Sequence, residues 1–196
     1  MSETVKIASV VEEPEETLSM NPRKFILWLF VVSIVMLFAS MTSAYLVRRA
    51  EGNWLEFEMP KIFGYSTVVL LISSAAMHWA YLAAKKDNFK ILRLAISITF
   101  VLGLAFLVMQ FEGWKDLVAQ NVYFVGNPAG SFMYVFTGLH AFHLISGLVV
   151  LLFALRAAFQ LKVHAKNLTQ IEVCKTYWHF LDLLWVYLFG FLLYFN

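Results

Sequence analysis

The chain is 196 residues long, 61% hydrophobic and 17% aromatic, with a formal net charge of only +2. A soluble domain of this length would be less apolar and more charged, so most of the chain belongs in lipid. The basic residues gather at the edges of apolar segments and not on one patch, which argues against nucleic acid as a partner, and the single cysteine, Cys174, excludes an internal disulfide or a thiolate-only metal site.

Residues 1–20 stand apart. Glu12, Glu13, Glu15 and Glu16 surround Pro14, with few large apolar residues nearby. Such a segment cannot bury enough surface to offset its ordering entropy, and it is expected to be mobile. It does not read as a signal peptide, because the leader is acidic and the apolar run that follows is too long.

Five apolar segments then follow, at about 25–47, 62–84, 91–110, 132–155 and 177–195. Each reaches the roughly 20 residues that a helix needs to cross a bilayer. None shows the alternation of a barrel strand, so the expected fold is all-α: a polytopic bundle of five transmembrane helices forming one domain over residues 21–196. Asn21-Pro22 and Asn127-Pro128 read as N-caps followed by proline at the first helical position. Thr169-Gln170-Ile171-Glu172 reads as a capping box that opens the fifth helix before it enters lipid.

Lysine and arginine predict the orientation. With the N-terminus in the cytoplasm, Lys6, Arg23, Lys24, Lys85, Lys86, Lys90, Arg93, Arg156, Lys162, Lys166 and Lys175 lie inside, and only Arg48, Arg49, Lys61 and Lys115 lie outside. Five crossings then put the C-terminus outside. Trp54 and Trp114 fall near the outer interface and Trp79 and Trp178 near the inner one, as an aromatic belt would. Small residues on the first helix (Ala39, Ser40, Ser43, Ala44), the second (Ser73 to Ala76, Ala80, Ala83, Ala84) and the fourth (Gly138, Ser146, Gly147) read as close-packing surfaces, against this chain or another.

Ionisable groups inside these spans are the functional candidates, because hydrocarbon makes them expensive. His140 and His143 are three apart and share a face of the fourth helix. Gln110 and Glu112 end the third span at the same membrane side, so Glu112 is expected to meet the two histidines across a helix pair. Such a trio suits a metal or haem, a proton path, or a hydrogen-bonded clamp between helices. His179 and Asp182 share a face near the inner end of the fifth helix. An aspartate at that depth needs a donor or stays protonated, and His179 or His78 could supply one. The two constellations lie at opposite membrane faces, which argues against one shared centre. The expectation is therefore a structural clamp of Gln110, Glu112, His140 and His143, an inner pair of His179 and Asp182, and no metal, cofactor or catalytic residue in this chain.

The motifs also resemble a family. Thr137-Gly138-Leu139-His140-Ala141-Phe142-His143, running on to Gly147, looks like the T-G-x-H-x-x-H-x-x-x-G motif of cytochrome c oxidase subunit III, of the haem-copper oxidases. Tyr177 to Trp185, extended by Phe189 and Tyr194, resembles its W-H-F-x-D-x-x-W motif. Leu102-Gly103, Gln110 and Glu112 match its L-G-x-x-F…Q…E helix, and Pro60, Ser66-Thr67 and Ser73-Ser74 match its preceding loop and helix. The likeness runs from about residue 25 to the end and is to the short, five-helix form. One position departs: the family commonly carries an acid after a serine in the first of these helices, and here Ser33 is followed by Ile34.

The resemblance implies an accessory subunit of a bacterial terminal oxidase that reduces oxygen to water and pumps protons. Haem and copper would lie in partner subunits. The chain would pack on the catalytic subunit I beside other oxidase subunits in the plasma membrane, bind phospholipid, sustain turnover and support proton entry on the inner side. Arg156, Gln160, Lys162 and His164 resemble the family's cytoplasmic lipid-head region. Basic groups there also attract anionic head groups on electrostatic grounds, or simply mark the inner side. A quinol oxidase subunit III would read almost the same. A haem-carrying, quinone-reactive membrane protein using His140, His143 and His179 is the reading from another class. A secondary transporter fits worse, since no inverted repeat or broken helix pair is visible.

Overall fold

The computed structural model describes residues 21–160 and 168–195. Five α-helices follow one another: α1 (Pro22–Ala50), α2 (Lys61–Lys85), α3 (Phe89–Ala119), α4 (Pro128–Phe159) and α5 (Thr169–Phe195). Each is long and apolar enough to cross a membrane, and the described residues contain no strand. The expected spans lie inside these helices. The expected mobile segment 1–20 lies outside the described residues.

The helix starts follow the residues that mark them. Asn21 accepts a hydrogen bond from the Arg23 amide and Asn127 from the Ala129 amide, each with proline next in line. At α5, Thr169 is the first helical residue, and the Glu172 carboxylate pairs with Lys24 at 2.8 Å across to α1. The expected capping box thus marks the right place, but its glutamate binds a neighbouring helix. α3 continues to Ala119, past the expected end at 110. Glu112, Lys115 and Asp116 lie on this extension; a helix does not end where hydrocarbon ends, because its backbone bonds are internal.

Helices α2 to α5 form a closed arrangement in which α2 packs on α3, α3 on α4, α4 on α5 and α5 on α2. α1 touches only α4 and α5 and makes no contact with α2. Trp178 and Trp185 of α5 are the largest fully buried side chains. Trp178 is therefore a core residue and not the belt residue its position suggested, since it lies more than two turns inside the helix. Gly103 of α3 and Gly147 of α4 make room for it. A Cβ on Gly103 would lie 2.8 Å from the Trp178 ring, and one on Gly147 would lie 2.8 Å from Leu181.

The end of the bundle that carries residue 22 is tied by charged groups. Arg93 of α3 donates to the carbonyls of Ala158 and Phe159, the last turn of α4, and lies over the Phe159 ring. This satisfies carbonyls that the helix itself cannot pair and suits its dipole. Lys175 of α5 and Lys85 of α2 both sit over the Tyr81 ring, at 4.1 and 4.8 Å. At the far end Asn127 holds the α1–α2 loop, accepting from the Leu55 amide and donating to the Asn53 carbonyl.

Candidate functional site

The expected trio at the far end does not assemble as a clamp. Gln110 and Glu112 are two residues apart on α3, so their side chains leave opposite faces. Gln110 is buried and donates to Ser66 Oγ of α2 at 3.1 Å. Glu112 faces outward and pairs with Lys115 at 2.7 Å, one turn along its own helix. His140 and His143 also diverge. His140 is fully buried, its ring 5.0 Å from Trp185 and 5.8 Å edge-on from Phe106, and neither ring nitrogen has a hydrogen-bond partner. The His143 ring turns toward α1, 5.8 Å from Phe38, and its Nδ1 lies 2.7 Å from the Leu139 carbonyl. The α3–α4 seam is closed instead by Trp114, which donates to Thr137 Oγ1 at 2.9 Å, and by Tyr134, which donates to the Val122 carbonyl.

The pair at the other end does assemble. His179 Nδ1 lies 3.8 Å from Asp182 Oδ2 on the same face of α5. Ser74 Oγ of α2 is 2.7 Å from the same nitrogen. The His78 ring lies 6.2 Å from the His179 ring, on the side toward the bundle end. His179 and His78 open outward, whereas Asp182 is nearly closed off and neither of its oxygens has a hydrogen-bond partner. Among the described residues no group of three or more His, Cys, Asp or Glu side chains is placed to hold a metal ion.

Sequence reasoning passed over the residues that bind the helices together. α2 presents four hydroxyls, Ser66, Thr67, Ser73 and Ser74, and each meets a side chain from another helix. Gln110 reaches Ser66, Trp185 Nε1 donates to Thr67 at 2.9 Å, Trp178 Nε1 donates to Ser73 at 3.1 Å, and His179 meets Ser74. The signal was the spacing: the two Ser/Thr pairs are seven residues apart, two helical turns, so they share a face. By sequence, Ser66-Thr67 stand out only as a family match, and Ser73-Ser74 as that and as small residues.

Of the expected lipid-head residues, Lys162 and His164 lie outside the described residues. Arg156 lines an open groove of about 330 Å³ with Phe153, Ala157, Gln160 and Gln170. A second groove at the same end, about 380 Å³, lies between α1 and α5 and holds Lys24, Trp28, Glu172 and Lys175. Farther along the same seam an apolar groove of about 470 Å³ is walled by Val35, Ala39, Phe180, Leu183 and Tyr187.

Comparison with known proteins adds what geometry cannot. The sequence profile of the family described as cytochrome c oxidase subunit III matches residues 13–196. A cytochrome c oxidase subunit 3 from Nocardia farcinica, named as probable, is 33% identical over 84% of this chain and 83% of its own length. The cytochrome c oxidase subunit 3 of Bacillus sp. PS3 is 30% identical over 83% of this chain and 80% of its own. The cytochrome bo(3) ubiquinol oxidase subunit 3 of Buchnera aphidicola from Schizaphis graminum is 28% identical over 87% and 93%.

Proposed function

Because the chain belongs to the cytochrome c oxidase subunit III family, we propose that it is the accessory membrane subunit of a bacterial aerobic terminal oxidase. The observation that carries this reading is the family match over residues 13–196, which takes in all five helices. Relatives divide between cytochrome c oxidases and ubiquinol oxidases, so the reading is pitched at the terminal oxidase that both share.

In this role the chain packs on catalytic subunit I beside other oxidase subunits. Haem, copper, oxygen reduction and proton pumping reside in those partners. His140, His143 and Gln110 act as core residues that fix helix positions. Arg156, with Lys162 and His164 next to it in sequence, attracts a phospholipid head group, the Arg156 and Lys162 charges contributing about 1 kcal/mol each near an anionic surface. The N-terminus is cytoplasmic and the C-terminus external, in keeping with the basic asymmetry.

The test is to purify the complex through a tag on this chain, then follow oxygen consumption with and without the chain at matched haem content. The expected result is co-purified haem- and copper-bearing subunits. Without the chain, a substantial initial rate should decay faster over successive turnovers. Complete loss of the initial rate with all metal centres intact would place this chain in the chemistry and end the accessory reading. Converting Arg156, Lys162 and His164 together to alanine should lower the lipid retained in native mass spectrometry, and an unchanged lipid count would remove the head-group assignment.

A further inference from the structure

The least satisfied carboxyl among the described residues of the bundle interior is Asp182. Its side chain is 5% exposed and neither oxygen receives a hydrogen bond. It sits thirteen residues into α5, which begins at Thr169, so it lies about 20 Å along the helix from the basic end. A carboxylate there, with only Ser74 and His179 beside it and no hydrogen bond formed to either oxygen, lacks the partners that make a buried charge tolerable, and the neutral acid is the favoured form. A purely structural aspartate would be expected to hold a backbone amide, a hydroxyl or an arginine.

What Asp182 does have is a base at one remove. His179 Nδ1 stands 3.8 Å from Oδ2, too far for a hydrogen bond and close enough for one after a small rotation of either side chain. Ser74 Oγ holds the same nitrogen at 2.7 Å. With Ser74 donating, Nδ1 carries no hydrogen and the ring hydrogen is on Nε2, so Nδ1 is the basic atom, and it takes a proton once the Ser74 hydroxyl turns back to a carbonyl of its own helix. Beyond His179, the His78 ring is 6.2 Å away and lies on an exposed face of α2, seven residues from the end of that helix. The three titratable groups thus descend in order from the basic end into the bundle.

We propose that His78, His179 and Asp182 form a proton-exchange site in the α2–α5 seam, with Asp182 as the store and the two histidines as its path to the aqueous phase at the basic end. In the transfer the Oδ2–H bond of Asp182 breaks and an Nδ1–H bond forms on His179, giving a carboxylate and an imidazolium. The imidazolium loses a proton toward His78 and the aqueous phase, and the reverse sequence refills the acid. The charged groups around the path are Lys175 and Glu172 on the first turns of α5, Lys85 on α2, and Lys24 on α1, which is engaged by Glu172. On α4 the titratable groups nearest α5 are His140, over Trp185, and His143, turned to Phe38. The site belongs to this chain alone. Only the compartment that supplies the proton rests on the topology proposed above.

Infrared spectroscopy of the full-length chain in lipid nanodiscs tests this. The sequence has only three aspartates, and Asp87 and Asp116 lie at helix ends. Carbonyl-labelled [¹³C]aspartate should therefore shift one protonated-carboxyl band of the unsubstituted chain, and Asp182→Asn should remove it. The band should move in D2O, and His179→Leu should slow that exchange strongly, with His78→Leu slowing it less. A structural hydrogen-bonding role would leave the exchange rate unmoved. Absence of any aspartate-derived protonated band would mean an ionised Asp182 and would overturn the proposal. So would a band that exchanges equally fast in both histidine variants. The labelling arm needs no substitution and decides the first point even if Asp182→Asn fails to fold. Oxygen consumption of the complex is not read, so these outcomes stand apart from the accessory-subunit test.

Discussion

α1 and α2 are both rich in small and hydroxyl residues whose hydroxyls donate back to their own backbone, and they differ in what else those hydroxyls meet. On α2 the hydroxyls of Ser66, Thr67, Ser73 and Ser74 each meet a polar atom from α3 or α5. On α1, Ser33 and Ser40 donate back to the carbonyls of Phe30 and Leu37 three residues earlier, and both face outward with Ala39, Ser43 and Ala44. From α1, Thr42 reaches across, receiving Tyr187 at 3.3 Å, and the Tyr45 hydroxyl donates to the Phe195 carbonyl at 3.2 Å. A serine in a membrane helix can always satisfy itself on its own backbone. What makes it adhesive is a polar partner on the facing helix, which Gln110, Trp178, His179 and Trp185 supply for α2. The outward small face of α1 is thus free for lipid or for another subunit.

The comparison can be broken by substitutions read as unfolding of the full chain in mixed micelles. The largest effect belongs to Gly103→Val, which drives a branched side chain against Trp178 and Leu148 in the knit half. Overpacking of this kind costs roughly 1–3 kcal/mol. A neutral result would mean that the Trp178 ring is not wedged against α3 and α4. Trp185→Phe removes the donor to Thr67 and should cost about 1–2 kcal/mol, near the upper range for an interhelical hydrogen bond in lipid plus some lost contact.

Smaller effects sharpen the contrast on the α1 side. Lys24→Ala breaks the half-exposed pair with Glu172 and should cost at most about 1 kcal/mol, less in high salt. Ser40→Ala touches only α1's own backbone and should stay within about 0.5 kcal/mol in the isolated chain. If Ser40→Ala proved as damaging as Trp185→Phe, α1 would be as firmly knit as α2 and the contrast would fail. A Ser40 variant that is neutral in the isolated chain and damaging in the oxidase complex would mark that face as an interface between subunits.

The helices were legible because apolar runs of membrane length have few alternatives, and Asn-Pro pairs marked two starts to the residue. The end of α3 was not, since charge at Glu112 and Lys115 signals the edge of lipid and says nothing of where a helix stops. At the candidate sites, spacing within one helix brings His179 and Asp182 to 3.8 Å, because their relation is local. It failed for Glu112 and the histidines, because contact across helices depends on rotation. Two-residue spacing should have warned that Gln110 and Glu112 could not face the same partner. The α2 ladder was hidden for a different reason. Its partners, Gln110, Trp178, His179 and Trp185, lie 44 to 118 residues away in sequence, and nothing local distinguishes a bonded serine from a small one.

That α1 touches only α4 and α5 has a consequence for the time the molecule takes to be made. Of the five helices α1 leaves the ribosome before the other four, yet the helices that hold it come last: α1 ends at Ala50 and α5 opens at Thr169. At 5–20 residues per second the interval is on the order of 10 s. The α2–α3 hairpin can close during that wait, while α1 drifts in the bilayer tethered by its loop. The clasp on that loop is equally late, because Asn127, which grips the Asn53 carbonyl and the Leu55 amide, belongs to the start of α4. The first helix to be born is the last to be seated.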